Sequence, residues 1–378
     1  MTDVGAYQDR KTPCLGEEIS RRGRDAAGKI LVAMSGGVDS SVAALLLAER
    51  GLDIAGLTLF RKADGTAGYG WGDVEEAAGV CRLLGIPHHA VDFTDDLERV
   101  VIEPFLEAYR QGRTPNPCVL CNRDIKFGML LEKARQLGYG GLATGHYARI
   151  VMRGGKPALA VPKDRRKDQT YFLYRVKREA LERIHFPLGE HTKQEVRELA
   201  SRAGLPVSQR EDSQDICFIP RGAIGPFLEA RLPGMGPGRM VDRRGRVVGT
   251  HRGIGRYTIG QRARLSAGRG DLLYVLSIDP AENLVVVGPK EDLLSRGLEA
   301  GEPNLLVDAL PAAAHAKIRY AHRPASCRVE TGPGSLTVVF DEPQEAVTPG
   351  QSVVLYGGGV VLGGATIRRA LDGCESTY

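Results

Sequence analysis

Ile30-Leu31-Val32-Ala33-Met34 runs straight into Ser35-Gly36-Gly37-Val38-Asp39-Ser40, and a helical pattern follows from Ser41 to Glu49. The order is buried strand, tight loop, helix. Two successive glycines let backbone N–H groups approach an anion without a Cβ in the way, and the helix that follows adds its unpaired amides and dipole. The loop therefore reads as a phosphate-binding nest. It lacks the spacing of Gly-x-x-x-x-Gly-Lys-Ser/Thr and that of Gly-x-Gly-x-x-Gly, which excludes the two commonest phosphate loops. A merely structural strand-to-helix turn is the competing reading.

Outward from this loop, strand and helix alternate. Asp53 to Phe60 reads as a second strand, and Asp64 to Gly72 as a Gly-rich loop. Val74 to Leu84 has helical spacing, His88 to Phe93 gives a third strand, and Leu97 to Tyr109 is amphipathic with period 3.6. Asp124 to Leu137 is another helix, and Gly141 to Thr144 a short strand leading into Gly145-His146-Tyr147. The fold class is therefore α/β, a doubly wound parallel sheet with ligands expected beyond the carboxyl ends of its strands. From Asp168 to Ala203 the pattern reads as helical, with a capping box at Thr192-Lys193-Gln194-Glu195. Pro and Gly then become dense, and two sets of short β runs imply two smaller β-rich domains. The first holds Val247-Val248, Leu272 to Ile278 and Leu284 to Val287; the second holds Ala316 to Tyr320, Ser335 to Phe340, Ser352 to Tyr356 and Val360 to Ile367. The domain reading is a flexible tail over 1–28, a nucleotide domain with a helical extension over 29–222, a central β domain over 223–290 and a C-terminal β barrel over 291–378.

The totals agree with that division. At 378 residues the chain exceeds one comfortable core, and 42% hydrophobic with 26% charged residues is ordinary for a globular protein. No apolar run approaches the ~18 residues of a membrane span, and the first 28 residues have no apolar core of the signal-peptide kind. No membrane partner is expected. Seven cysteines, an odd number at uneven spacing, point to a reducing, cytoplasmic setting rather than to disulfide staples. Net charge is +5, but seven Lys/Arg stand against two Asp from Lys163 to Arg178, and nine Arg against one Asp from Arg239 to Arg269. Such segments suit a nucleic-acid backbone, or else a solvated face.

Thr114-Pro115-Asn116-Pro117-Cys118-Val119-Leu120-Cys121-Asn122 is a loop that carries two cysteines at C-x-x-C spacing. A third, Cys217, lies in Asp212-Ser213-Gln214-Asp215-Ile216-Cys217-Phe218. Three readings stand: a redox or sulfur-carrying pair, a metal or iron–sulfur site with an open position, or inert buried thiols. Inertness suits Cys14, Cys81, Cys327 and Cys374, with Cys81 in a core pattern.

The loop at Ser35 to Ser40 resembles the PP-loop, whose families bind the pyrophosphate end of ATP and adenylate a substrate oxygen. The chain as a whole resembles the bacterial tRNA-specific 2-thiouridylases. The resemblance rests on Met34-Ser-Gly-Gly-Val-Asp-Ser40, Thr114-Pro-Asn-Pro117 with Leu120-Cys-Asn122, Ala143-Thr-Gly-His-Tyr-Ala148, Lys167-Asp-Gln169 with Tyr171-Phe-Leu173, Asp212 to Phe218, Tyr257-Thr-Ile-Gly-Gln-Arg262 and Val347-Thr-Pro-Gly-Gln-Ser352. It implies a three-domain enzyme that replaces the carbon-2 oxygen of the wobble uridine of tRNA with sulfur. ATP would adenylate that oxygen, Mg²⁺ offsetting the phosphate charge, and a persulfide would then displace AMP. By resemblance the persulfide falls on Cys217 and the cysteine that resolves it, by disulfide formation, on Cys121. ATP contacts fall on Ala33, Met34, Ser35, Gly36, Gly37, Val38, Asp39, Ser40, Leu59 and Gly145. Contacts to tRNA and its target base fall on Asn116, Pro117, His146, Lys167, Asp168, Gln169, Arg319, Tyr320 and Gln351. The sulfur donor implied is a cysteine desulfurase, a sulfur-relay protein or free sulfide.

One position departs from that pattern. Many members carry Asp where this chain has Cys118, a proposed acid/base group. Three thiols, Cys118, Cys121 and Cys217, match the ligand count of related thiolases whose [4Fe–4S] cluster leaves one iron open for hydrosulfide. Two rivals remain at this stage. A PP-loop ligase acting on a small molecule would have no use for loop cysteines or basic β domains, and a non-catalytic RNA-binding relic would have no use for an intact Asp39 and Cys217.

Overall fold

The structure is a computed structural model that describes residues 28–62, 70–208, 216–263 and 272–371. The tail and part of the Gly-rich loop, Cys14 and Cys374, and Asp212 to Asp215 of the Cys217 motif lie outside the described residues.

The first strands are β1 (Lys29–Ala33), β2 (Asp53–Phe60), β3 (His88–Asp92) and β4 (Gly141–Thr144). A hairpin, β5 (Arg149–Arg153) and β6 (Lys156–Ala160), leaves this region, and β7 (Ile184–His185) returns to it. The first sheet has the order β3-β2-β1-β4-β7, and each of its neighbouring pairs is parallel. Strand order reverses between β1 and β4, so the crevice beyond their carboxyl ends is the expected ligand position. β1 is buried along Ile30, Leu31 and Val32, as a parallel strand covered on both faces must be. Helix α1 (Val38–Glu49) covers one face and begins inside the Ser-Gly-Gly motif, three residues earlier than the sequence pattern suggests. Helix α2 (Trp71–Leu84) packs beside it, with Ala77, Val80 and Cys81 in the same core.

The helical reading of Asp168 to Ala203 is corrected. That stretch consists of 3-10 turns at Thr170–Phe172, Arg178–Arg183 and Pro187–Glu190, the short strand β7, and a single α-helix at Lys193–Arg202. Tyr171 and Tyr174 are fully buried there between the first sheet and the C-terminal strands. The Tyr171 hydroxyl donates to the Ser352 carbonyl at 2.9 Å, and Asn304 Nδ2 donates to the Tyr174 and Val176 carbonyls. Burial on both sides replaces the one-sided face that an amphipathic helix would need.

The central sheet contains β8 (Gly238–Asp242), β9 (Val247–His251), β10 (Arg262–Ala263), β11 (Leu273–Asp279) and β12 (Leu284–Gly288), in the order β10-β11-β12-β8-β9. The last strands are β13 (Leu294–Leu305), β14 (Ala313–Lys317), β15 (Ala325–Gly332), β16 (Ser335–Glu345), β17 (Ser352–Gly357) and β18 (Val360–Ala370). They run β13-β16-β15-β14-β17-β18, and β13 also pairs with β18, so the six close into an antiparallel barrel. The β5–β6 hairpin extends this sheet through the Val360–Ala160 pair. The segment between β4 and β7 thus ties the first sheet to the barrel.

Candidate functional site

The nest sits at the carboxyl end of β1. Gly36 has φ +70°, a left-handed conformation that favours glycine. Gly37 caps α1 with no side-chain hydrogen bond, which leaves the first-turn amides to a ligand. The loop is braced from within: Ser40 Oγ accepts from the Ser35 amide at 3.1 Å and donates to the Gly37 carbonyl at 3.1 Å. Gly145, at the end of β4, packs on the backbone of this turn. A Cβ there would stand 2.7 Å from the Asp39 carbonyl carbon and from the Ser40 nitrogen. The end of β4 and the first turn of α1 are therefore in direct contact.

Asp39 has two partners that the sequence reading did not single out. Lys193 Nζ donates to Asp39 Oδ1 at 2.8 Å and to Oδ2 at 2.9 Å, and the Tyr147 hydroxyl donates to Oδ1 at 3.0 Å. Lys193 is the first residue of its helix, whose capping box between Thr192 and Glu195 is formed, and the Asp164 carboxylate accepts from its backbone amide. This places an ammonium group beside the nest. Both oxygens of Asp39 thus accept hydrogen bonds from within the protein.

The C-x-x-C loop packs near the carboxyl end of β2, through the cluster that joins Cys121 to Phe93 and Leu59. Pro117–Leu120 and Cys121–Leu130 form one continuous helical run that opens after Asn116, with Pro117 buried at its first position. Gln351 Nε2 donates to the Thr114 carbonyl at 2.9 Å, and the Thr114 amide donates to the Pro349 carbonyl, so the barrel holds the Thr-Pro-Asn-Pro turn in place. Asn122 is 2% exposed; its Nδ2 donates to the Phe172 carbonyl while Oδ1 has no partner.

None of Cys118, Cys121 and Cys217 is in a disulfide. Cys121 belongs to an apolar cluster with Phe105, Ile125 and Phe218, and Cys217 packs against that cluster. Burial pushes the Cys118 thiol up to about 11, and Cys121 beside it pushes in the same direction while Lys126 opposes. Cys121 is likewise raised by burial, with Lys126 opposing and Asp124 adding to the shift. Among the described residues no group of three His, Cys, Asp or Glu side chains converges to hold a metal ion. The expected ligand set of Cys118, Cys121 and Cys217 is therefore not formed among the described residues: Cys121 and Cys217 share one apolar cluster, and Cys118 lies outside it.

His146 follows Gly145 and stands between Phe127 and Phe186, with ring centroids 5.9 and 6.0 Å away. Its Nδ1 pairs with Thr144 Oγ1 at 2.7 Å, and burial with nearby Lys126 lowers its pKa well below the usual range, so the ring is neutral. Leu59 lines a cavity of about 190 Å³ with Val91, Phe93, Ile125 and Met129, at the ends of β2 and β3.

The residues expected to contact tRNA divide into two kinds. Gln169 accepts from the Tyr147 amide at 2.8 Å, Asp168 accepts from the Thr170 amide and hydroxyl, and Arg319 donates to Ile259 and Ala346 carbonyls and to Thr348 Oγ1. These three brace the protein itself, and Arg319 joins the central sheet's edge to the barrel. Tyr320 is different: it is 39% exposed, its ring lies 4.7 Å from that of Phe172, and Lys317 stands 5.5 Å over it. Lys167 lies in the 3-10 turn just before Asp168. In the basic segment Lys163, Arg166, Arg175 and Arg178 each pair with a carboxylate, so its effective charge is lower than its composition suggests. Cys81 and Cys327 are core residues, 1% and 2% exposed.

A parallel sheet with a Ser-Gly-Gly nest at its reversal point, followed by two β domains, defines a PP-loop type of enzyme with appended β modules. Residues 28–221 match the tRNA methyl transferase HUP domain, 225–289 its PRC-barrel domain, and 295–367 the aminomethyltransferase beta-barrel domain. The tRNA-specific 2-thiouridylase MnmA 1 of Syntrophus aciditrophicus is 48% identical over 91% of this chain and 93% of its own. The corresponding protein of Pelobacter propionicus is 48% identical over 91% and 98%, and that of Geobacter metallireducens 45% over 92% and 98%. The chain belongs to the tRNA-specific 2-thiouridylase family. Among solved structures, the U34-tRNA thiolase NcsA of Methanococcus maripaludis with its [4Fe-4S] cluster aligns over 58% of this chain and 74% of its own, at 22% identity and a TM-score of 0.34.

Proposed function

We propose that the protein makes 2-thiouridine at the wobble position of tRNA in two chemical stages, activation by ATP and transfer of a persulfide sulfur. Family membership over nine-tenths of the chain carries the reading, and the juxtaposition of the nest with Gly145 and His146 supports it.

In the first stage the loop from Ala33 to Ser40 and the α1 amides hold the pyrophosphate portion of ATP, which leaves the α-phosphorus open to the uridine carbon-2 oxygen. The oxygen takes AMP and pyrophosphate departs. Lys193 stands beside the nest in an ion pair with Asp39, and Mg²⁺ arriving with the nucleotide would offset the phosphate charge. Neutral His146 serves as a hydrogen-bonding and stacking neighbour for the extruded base, which must be unstacked to be reached. The exposed Tyr320 ring beside Phe172, with Lys317 over it, suits a second base, and Lys167, whose charge bears on Tyr320, borders the same approach.

In the second stage the terminal sulfur of a Cys217 persulfide attacks carbon 2 and AMP leaves. Cys121 then attacks Cys217 Sγ, the sulfur–sulfur bond breaks toward the base, and the products are 2-thiouridine and a Cys121–Cys217 disulfide. Packing of both cysteines on one apolar cluster supports this pairing. The cluster route through Cys118, Cys121 and Cys217 does not fit the thiols as arranged, and no step is derived through it.

The test is incubation with ATP, unmodified tRNA and a sulfur source, followed by nucleoside mass spectrometry and nucleotide analysis. The expected products are 2-thiouridine, AMP and pyrophosphate; ADP, or thiolation of a free nucleobase in preference to tRNA, would overturn the proposal.

A further inference from the structure

The cycle above uses two thiols, and the structure supplies three. Cys118 and Cys121 stand three residues apart on one continuous helical run, so their side chains share a face. Cys121 is 7% exposed and packed among Phe105, Ile125 and Phe218, whereas Cys118 is only half-buried and lies outside that cluster. A Cys121–Cys217 disulfide formed in this setting would have its Cys121 sulfur closed to an external reductant, with Cys217 as half-buried as Cys118. The C-x-x-C partner is the neighbour placed to reach it.

We propose, building on the thiolation cycle, that Cys118 frees Cys217 after each turnover by thiol–disulfide exchange. The Cys118 thiolate attacks Cys121 Sγ, the bond from Cys121 to Cys217 breaks, and the electron pair leaves on Cys217, which takes up a proton. A Cys118–Cys121 disulfide results, with no net oxidation or reduction in this step. An external dithiol then supplies two electrons at the more accessible sulfur of Cys118 and is itself oxidised to a disulfide. Lys126 follows Cys121 by five residues on the same helical run and is half-buried; its charge bears on both thiols, with Cys121 the other group facing Cys118 and Asp124 the other facing Cys121. An ammonium there favours the attacking thiolate against the desolvation that holds it neutral.

The experiment uses the full chain loaded with inorganic polysulfide, ATP, unmodified tRNA and a small dithiol. A single turnover is quenched with a thiol-alkylating agent and the disulfides are mapped by mass spectrometry. Wild-type protein is expected to yield Cys118–Cys121. Cys118→Ser should yield Cys121–Cys217 with a first-turnover burst, because exchange follows sulfur release, and a steady-state rate that falls several-fold and recovers as dithiol is raised. Cys118→Asp should behave as the Ser variant does. Wild-type protein trapped as Cys121–Cys217, with a steady-state rate equal to that of Cys118→Ser, would overturn the role. Absence of a first turnover of 2-thiouridine in both wild-type protein and Cys118→Ser would instead overturn the thiolation cycle on which it rests.

Discussion

Gly145→Ala tests the contact between the end of β4 and the first turn of α1, which together form the nucleotide site. The added methyl would stand 2.7 Å from the Asp39 carbonyl carbon and the Ser40 nitrogen, 0.7 Å inside the 3.4 Å at which ordinary contact begins. Both neighbours are backbone atoms in the first turn of α1, so no flexible side chain can swing away. Relief requires moving either the α1 start or the end of β4, and overpacking of this kind costs about 1–3 kcal/mol of stability. The functional effect is larger than the stability effect. A shift approaching 1 Å in the amides that position a reacting phosphate lowers the chemical rate by about a hundredfold. The assay is tRNA-dependent pyrophosphate release at saturating tRNA, alongside tRNA binding by filter retention, which the substitution should leave largely unchanged. Gly72→Ala is the control: it lies on α2 with no atom within 4 Å of its added Cβ, and it should keep full activity with a small gain in stability. A Gly145→Ala protein with wild-type pyrophosphate release and unaltered ATP dependence would refute the claim that the end of β4 and the start of α1 jointly set the nest.

Cys217→Ala should abolish 2-thiouridine formation while pyrophosphate release persists, since the sulfur nucleophile acts after the leaving group is installed; simultaneous loss of both signals would assign Cys217 a structural role. Protein purified without oxygen and assayed for iron and acid-labile sulfide should thiolate tRNA when iron-free, and strict dependence on a cluster would contradict the disposition of the three thiols. His146 should keep a neutral ring across pH 5.5 to 8, read as an imidazole carbon resonance that does not shift. Its pKa is depressed by burial, so the unfolded chain binds a proton that the folded chain does not as pH falls through the ordinary histidine range; stability is lost on acidification, and a ring titrating near its ordinary value would refute the buried placement.

The nucleotide sheet was legible because its strands announce themselves: four apolar runs followed by glycines or helical spacing, each within a residue or two of its observed bounds. The hairpin β5–β6 was overlooked although Gly154-Gly155, at φ +55° and +77°, is the turn that a two-residue hairpin requires. The pattern between Asp168 and Ala203 misled for a different reason. Its apolar residues face two neighbours, the first sheet and the barrel, and periodicity reports only whether a face is apolar, not how many partners will cover it. β13 was missed because Leu294–Leu305 holds two glycines, two glutamates and a proline; pairing on both sides within a closed barrel overrides that poor intrinsic preference.

The site divides along the same line. Residues whose chemistry is local, the nest amides, Gly145 and the C-x-x-C pair, could be found from spacing alone, because a strand end or a helix start fixes where they stand. The groups that tune them could not. Lys193 reaches Asp39 across 154 residues, and Lys126 bears on Cys118, Cys121 and His146, which come from two separate segments. The capping box did place Lys193 at the start of a helix, but only the folding of that helix against α1 aims its ammonium at the nest. Charge that acts on a reaction is thus set by tertiary packing, while the groups that react are set by local sequence. This is why the reading of Arg319, Asp168 and Gln169 as tRNA contacts must contend with the hydrogen bonds they already make inside the protein: a guanidinium with three protein acceptors can meet RNA only through its remaining donors or by giving up a brace between two domains.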